Sequence, residues 1–186
     1  KLKQIYNFGN IFVSNFVKAD DIRTGIKVPI ELVICDHCTL VQQCYSAPQE
    51  FLYSQNYWYR SGVTETMRTQ LQDIISSSFD EIQMAETDVL LDIGANDGTM
   101  LSFARNKCVT VGIDPAKNLF ENLQKNCDHS SNSFWNAEVY CELARNSDLP
   151  KPKIVTAIGM FYDLEDPLTF VRDIVDTMHD DGIFVA

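Results

Sequence analysis

Apolar and polar residues change rhythm twice along the chain, and the changes divide it into three stretches. Residues 1–56 carry short alternating apolar runs, residues 57–84 pass from an aromatic segment into helical spacing, and residues 85–186 alternate continuous apolar runs with helical stretches. In the last stretch Val89, Leu90, Leu91 and Ile93 form a run suited to a parallel strand covered on both faces. Gly94 and Gly98 then allow a tight turn close to a ligand, and Met100, Leu101 and Phe103 begin a helix whose N-terminus faces it. Residues 109–114 read as a second strand ending in Asp114. Pro115 stands at an early position of a second helix built on Leu119, Phe120 and Leu123.

The alternation continues to the last residue. Residues 126–133 read as a polar loop with a solvated His129, 133–137 as a third strand and 138–146 as a helix. A fourth strand over 153–158 presents residues 159–163 at its carboxyl end. Pro167 opens a helix carrying Phe170, Val171, Ile174, Val175 and Met178, and residues 183–186 form a fifth strand. This order predicts an α/β protein with a Rossmann-like, doubly wound, mostly parallel sheet, in which ligands bind at the carboxyl ends of the strands. Upstream, Val63, Met67, Leu71, Ile74, Ile75 and Phe79 predict a helix over 63–84 that packs on the sheet.

The first stretch has apolar anchors at Phe8, Ile11, Phe12, Val13 and Phe16, and a short helical turn over 47–52. Its strand over 27–34 runs into Cys35-Asp-His-Cys38, and 39–43 read as the returning strand. A Cys-x-x-Cys between two strands has the form of a zinc-ribbon knuckle, because two intervening residues let both thiolates meet one tetrahedral metal. Cys35 and Cys38 are therefore candidate zinc ligands, with a redox pair or unpaired thiols as the alternatives. A closed site needs four ligands. Cys44 is poorly spaced and His37 points away from a shared metal, so the expectation is a second pair upstream of Lys1. Cys108, Cys127 and Cys141 read as small hydrophobes rather than a disulfide framework.

With 186 residues and 45% apolar content, the chain has room for a medium domain with a small appendage: 1–56 zinc-ribbon-like, 57–84 linker and helix, 85–186 the α/β domain. A formal charge of −11 argues against a nucleic-acid partner, which requires clustered Lys and Arg. The absence of a membrane-length apolar run or signal peptide argues for a cytoplasmic protein with no membrane partner. Oligomeric state leaves no mark in the sequence.

The turn after the first α/β strand reads Asp92-x-Gly94-x-Asn96-x-Gly98, which differs from the Gly-x-Gly-x-x-Gly of nicotinamide enzymes. It resembles the first motif of S-adenosylmethionine-dependent methyltransferases. The resemblance implies S-adenosyl-L-methionine as cofactor, with Asp92, Gly94, Ala95, Asn96 and Gly98 holding its methionine portion. Asp114, followed by Pro115, would receive the ribose hydroxyls, and Asn136 would read the adenine.

Three features occur in order: the Cys-x-x-Cys-x-Leu-Val-Gln segment, Tyr57-x-Tyr59-x-Ser61-Gly62, and the glycine motif with Met160-Phe-Tyr-Asp-Leu-Glu-Asp-Pro167 downstream. Together they resemble the zinc-ribbon-containing sugar C-methyltransferases that act on nucleotide-linked keto-deoxysugars. That resemblance implies an enzyme that methylates a carbon next to a ketone through an enolate. Tyr57, Tyr59 and Ser61 would line the cofactor-facing substrate cleft, with Tyr162 entering from the fourth strand's exit; Ser61 and Met160 are also cofactor-binding candidates, and the three tyrosines are the catalytic candidates. On residue type alone, the aromatic segment could equally be a packing patch between domains. In the resembling family the base lies in a His- and Glu-containing segment beyond the fifth strand. The expectation is thus a chain truncated at both ends that binds cofactor and is catalytically incomplete. Two other readings are an O- or N-methyltransferase of another small molecule and a non-catalytic zinc-ribbon interaction module.

Overall fold

Residues 1–13, 20, 25–55 and 57–186 are described by the computed structural model; Phe16 lies outside the described residues. The chain forms two units, Lys1–Trp58 and Tyr59–Ala186. In the first, β1 (Leu2–Phe12) pairs antiparallel with β2 (Lys27–Cys35), and β3 (Val41–Gln43) returns along β2. Two register shifts interrupt β1, between Gln4 and Tyr6 and between Asn7 and Gly9. At the second, Asn7 Oδ1 accepts the Gly9 N–H at 2.7 Å. Each shift moves the following side chains to the other face, so the apolar residues of β1 cannot gather on one side. Ile5, Tyr6, Phe8, Ile11 and Phe12 stay exposed, and Val33 is the one buried apolar side chain among the described residues of this unit. A single wide helical turn, Glu50–Ser54, follows.

The second unit opens with α1 (Glu65–Glu81), whose N-cap Thr64 accepts the Met67 N–H. Five parallel strands follow: β4 (Val89–Ile93), β5 (Val109–Ile113), β6 (His129–Ser131), β7 (Ile154–Thr156) and β8 (Ile183–Val185). Between them run α2 (Thr99–Ala104), α3 (Phe120–Asn126), α4 (Ala137–Ser147) and α5 (Pro167–Thr177). The strand order β6-β5-β4-β7-β8 makes a Rossmann-like fold, with β4 at the centre and the reversal of order between β4 and β7. Among the described residues, no helix is long and apolar enough to cross a membrane.

Two apolar layers sandwich the sheet. Leu90 and Ile154 pack with Leu71 and Ile75 of α1, Leu101 of α2 and Leu123 of α3. On the other face Val89, Leu91, Ile93, Val111, Ile113 and Val155 meet Tyr140 of α4 and Phe170 and Ile174 of α5. Because neighbouring residues of a strand face opposite ways, Asp92 shares its face with Leu90, toward α2 and α3.

Two elements depart from the sequence pattern. The third strand is β6, not residues 133–137, so His129 is half-buried in the sheet instead of solvated in a loop. An edge strand of three residues has too few positions to show an apolar rhythm. The second helix begins at Phe120; Pro115 stands in an irregular link, where the turn from Ala116 to Leu119 comes first.

Gly112, in the middle of β5, is required by packing. A Cβ there would lie 2.6 Å from Leu123 Cδ1, 2.9 Å from Leu101 Cδ1 and 3.3 Å from Ala95 Cβ. The bare backbone lets α2 and α3 close onto the sheet beneath the β4–α2 turn. Gly112→Ala overpacks this contact and should destabilise the unit by about 1–3 kcal/mol, read as a lowered midpoint in urea or thermal unfolding.

Candidate functional site

At the carboxyl end of β4 the chain turns through Gly94, Asn96 and Gly98, all three with positive φ, at +73°, +54° and +75°. The turn hangs from the neighbouring strand: the Gly94 and Ala95 N–H groups both donate to Ile113 O, at 2.8 and 3.3 Å. Gly98 meets two constraints. Its left-handed backbone disfavours a side chain, and a Cβ would lie 2.8 Å from Asn126 Cβ and 3.3 Å from Leu123 Cα.

Two buried carboxylates flank this bend. Asp92 is 4% exposed, and its Oδ1 accepts the Thr156 hydroxyl at 2.7 Å across the β4–β7 pair. Asp114 is 7% exposed; its Oδ2 accepts the Asn96 N–H and its Oδ1 the Ala116 N–H, each at 2.7 Å. Asn132 donates to the Asp114 carbonyl at 2.9 Å. Asp114 follows β5 with the parity of Gly112, the partner of Asp92, so both acids face the same side of the sheet. Burial pushes the Asp92 carboxyl up to about 7, with the Asp114 charge adding and the Thr156 hydroxyl opposing. Burial also raises Asp114, while the N–H groups of Ala116 and Asn96 pull it down.

The segment 59–62 is joined to the bend. Asn96 Oδ1 accepts the Ser61 N–H at 3.0 Å and its Nδ2 donates to Tyr59 O at 3.1 Å. Asp97 Oδ2 accepts the Gly62 N–H at 3.1 Å, while its Oδ1 accepts the N–H and hydroxyl of Thr99. From β7, Met160 lies over Gly94, its Cγ 3.1 Å from where a Cβ would stand. Asp92, Gly94, Ala95, Asn96, Gly98, Asp114, Ser61 and Met160 therefore surround one bend, with half-buried Pro115 next in the chain.

Other candidates lie elsewhere. Asn136 is exposed and caps α4, accepting the Val139 N–H at 3.1 Å. Tyr162 is 79% exposed on the turn after β7. Tyr57 belongs to the first unit, its ring 5.9 Å from that of Tyr53. His37 is exposed in the Cys35 turn, His129 begins β6, and His179 follows α5 with its Nδ1 accepting the Asp181 N–H.

Sequence reasoning missed Thr156, Asp97 and Asn132. Thr156 carried a signal: it is a hydroxyl inside an otherwise apolar strand, in register with Asp92. Asp97 and Asn132 act through long-range contacts that leave no mark in local spacing.

At the Cys35 turn, the backbone N–H groups of Cys38 and His37 lower the Cys35 thiol below its usual range. Cys44 donates its N–H to Glu31 O, a strand's length from the turn. Among the described residues no group of three or more His, Cys, Asp or Glu could hold a metal ion. They do not complete the expected four-ligand zinc site. Cys108 and Cys127 are buried, and burial pushes both thiols up to about 11, while Cys141 is exposed on α4 rather than packed in the core.

Residues 63–186 match the family model described as "Methyltransferase domain". The chain belongs to the methyltransferase domain family. None of the curated proteins matches it. Similar solved structures include the plantazolicin methyltransferase BpumL in complex with a pentazolic desmethylPZN analog and SAH, at 14% identity and TM-score 0.49, covering 66% of this chain and 48% of that one. Precorrin-6y C5,15-methyltransferase from Geobacter metallireducens GS-15 matches at 14% identity and TM-score 0.40, covering 72% and 65%. A SAM-dependent methyltransferase from Thiobacillus denitrificans in complex with S-adenosyl-L-homocysteine matches at 17% identity and TM-score 0.45, covering 62% and 46%. This methyltransferase domain chain thus spans about half the length of the first of these structures.

The raised Asp92 has a consequence for stability. A carboxyl that titrates near 7 when folded and near 4 when unfolded keeps its proton longer in the folded chain, so stability falls as pH rises from about 4 to about 7 and then levels off. Asp92→Asn retains an acceptor for Thr156 without the buried charge. The variant should unfold at a higher temperature than the wild type at about pH 8 and at a similar one at about pH 4, measured by thermal scans across that range.

Proposed function

We propose that this methyltransferase domain binds S-adenosyl-L-methionine across the β4–α2 bend and transfers its methyl group to a small-molecule acceptor. The observation that carries the reading is the placing of Asp92 and Asp114 on one side of the sheet, flanking a bend whose backbone is bare at Gly94 and Gly98. Each Asp114 oxygen accepts one N–H and keeps a lone pair, enough to receive the two ribose hydroxyls. Asp92 brings negative charge toward the methionine end. Gly94, Ala95, Asn96 and Gly98 supply the backbone between the acids, with Pro115, Ser61 and Met160 beside them. Asn136 uses its oxygen on α4 and keeps its amide donor for adenine. When bound, the cofactor supplies an electrophilic methyl on a cationic sulfur.

For the acceptor, the motif combination of the whole chain supports C-methylation of a nucleotide-linked keto-deoxysugar. A base removes the proton next to the ketone, and the enolate carbon then forms the new bond to the methyl as its bond to sulfur breaks. Tyr57, Tyr59 and Tyr162 are the hydroxyl-bearing candidates for positioning that acceptor or moving its proton. Zinc at Cys35 and Cys38 belongs to the same reading and needs two ligands beyond those the described residues offer. One observation favours a different acceptor, methylated on oxygen or nitrogen. Across residues 59–62, 92–99, 114–116 and 156–162, Arg60 is the one basic side chain, and a diphosphate calls for more cationic partners.

Titration calorimetry with S-adenosylhomocysteine tests the cofactor reading. Asp114→Ala should weaken binding tenfold or more, since a hydrogen bond to a charged group contributes about 1.5–3 kcal/mol. Unchanged affinity in that variant would remove the basis for the reading. The cationic cofactor itself should bind more tightly as pH rises from about 6 to about 8, because Asp92 ionises over that range. Asp92→Asn should flatten that dependence. Adding a nucleoside diphosphate sugar in the same calorimeter separates the acceptor readings, heat on addition favouring the nucleotide-linked sugar.

A further inference from the structure

The tip of the glycine bend carries two polar side chains, Asn96 and Asp97, whose hydrogen bonds run away from the space between the acids. Asn96 brackets the segment 59–62 by accepting from the Ser61 N–H and donating to Tyr59 O. Asp97 receives the Gly62 N–H on one oxygen and is fixed through the other by the N–H and hydroxyl of Thr99. Both are buried, at 7% and 8% exposure, and Asn126 donates to the Asp97 carbonyl at 2.8 Å. Gly62 fits only because it lacks a side chain: a Cβ would stand 2.4 Å from Thr99 Oγ1 and 3.0 Å from Asp97 Oδ2.

Asn96 is also the residue whose own N–H donates to Asp114 Oδ2. One residue therefore joins the acid after β5 to the segment 59–62, by its backbone on one side and its side chain on the other. Its φ of +54° is sparsely populated for a residue other than glycine, and these bonds hold it there.

We propose that Asn96 and Asp97 are positioning residues that clamp the backbone of residues 59–62 against the glycine bend, making this strap a wall of the cofactor site whose docking is coupled to occupancy through the Asp114–Asn96 bond. The inference rests on the cofactor reading above and adds to it a role for the strap. A ligand that engages Asp114 holds the bend in the geometry that presents Asn96 and Asp97 to the strap. By linkage, docking of the strap must favour the ligand by the same factor. Ser61 then contributes through its amide, and its motif partner Gly62 through the space its missing side chain leaves.

The Ser61 and Gly62 amides report docking directly, since they are the donors in the clamp. Their hydrogen exchange in the full chain, followed by NMR with and without saturating S-adenosylhomocysteine, should slow by about fivefold or more on binding, the lower end of site-to-site coupling. Asn96→Gly keeps the backbone conformation and removes the Asn96 half of the clamp, the bonds to Ser61 N–H and Tyr59 O. Gly62→Ala leaves the bend intact and pushes the strap off Thr99. Both should retain the wild-type far-ultraviolet dichroism, lose the ligand-induced slowing, and bind S-adenosylhomocysteine more weakly by no less than the factor by which exchange slowed. Binding with no change in Ser61 and Gly62 exchange, or unchanged affinity in both variants, would overturn the coupling and leave the cofactor reading standing. Failure of the wild type to bind at all would overturn both.

Discussion

The bond from the Asn96 N–H to Asp114 fixes the relation between two strands and the turn above them. Parallel strands β4 and β5 end side by side, and each hands the chain to an irregular link. Asp114 accepts one N–H from each link, Asn96 after β4 and Ala116 after β5, so one carboxylate ties both exits together. The bend is further hung from Ile113 O by the Gly94 and Ala95 amides. A carboxylate satisfied by two amides can remain buried where an unpartnered one would not. Removing it would free both links, and the bend's left-handed residues would lose the contacts that hold them.

Asp92 sits under that arrangement on different terms. Its partner is a hydroxyl on the next strand, its surroundings are apolar, and its nearest acid has the same sign. Burial so deep leaves the ionised form poorly compensated in the ligand-free chain. A purely structural solution would place an apolar side chain at this position, in line with Leu90 and Ile154 on the same face. Keeping an acid there costs stability; on the cofactor reading proposed above it prepares a place for positive charge, a pattern characteristic of functional sites. Thr156 shares in this, because its hydroxyl fixes one of the two carboxylate oxygens. The preparation extends to Gly112, whose missing side chain lets the helices close beneath the two acids.

Much of the sheet was legible because its strands are buried on both faces. The runs at 89–93 and 109–113 became β4 and β5, and those at 153–158 and 183–186 contain β7 and β8, since a parallel strand between helices is apolar throughout. Pro167 stands at the first position of α5, as its missing amide allows. The edge strand β6 was illegible for the opposite reason: His129, Ser130 and Ser131 are half-buried and paired on one side only. At the candidate site, spacing singled out the glycines and both acids, which lie around one bend. It did not reveal what Asn96 and Asp97 do, because their partners lie more than thirty residues earlier in the chain. Asn136 shows the limit from the other side. A polar residue before a helix satisfies a capping role and a binding role equally well in one dimension, and here its oxygen is on Val139.

The first unit poses a separate problem of stability. Three strands with one buried apolar residue among those described remove little surface from water, and each ordered residue costs about 1–2 kcal/mol of backbone entropy. Apolar side chains of β1 exposed at both ends of the strand do not offset that. Units of this size resolve the shortfall with a cross-link or with surface supplied from elsewhere. The Cys35–Cys38 turn lies at the outer end of the β1–β2 pair, where Leu2 pairs with Cys35 and the Asp36 N–H donates to Lys1 O. Two thiolates three positions apart close too short a loop to offset that shortfall by themselves.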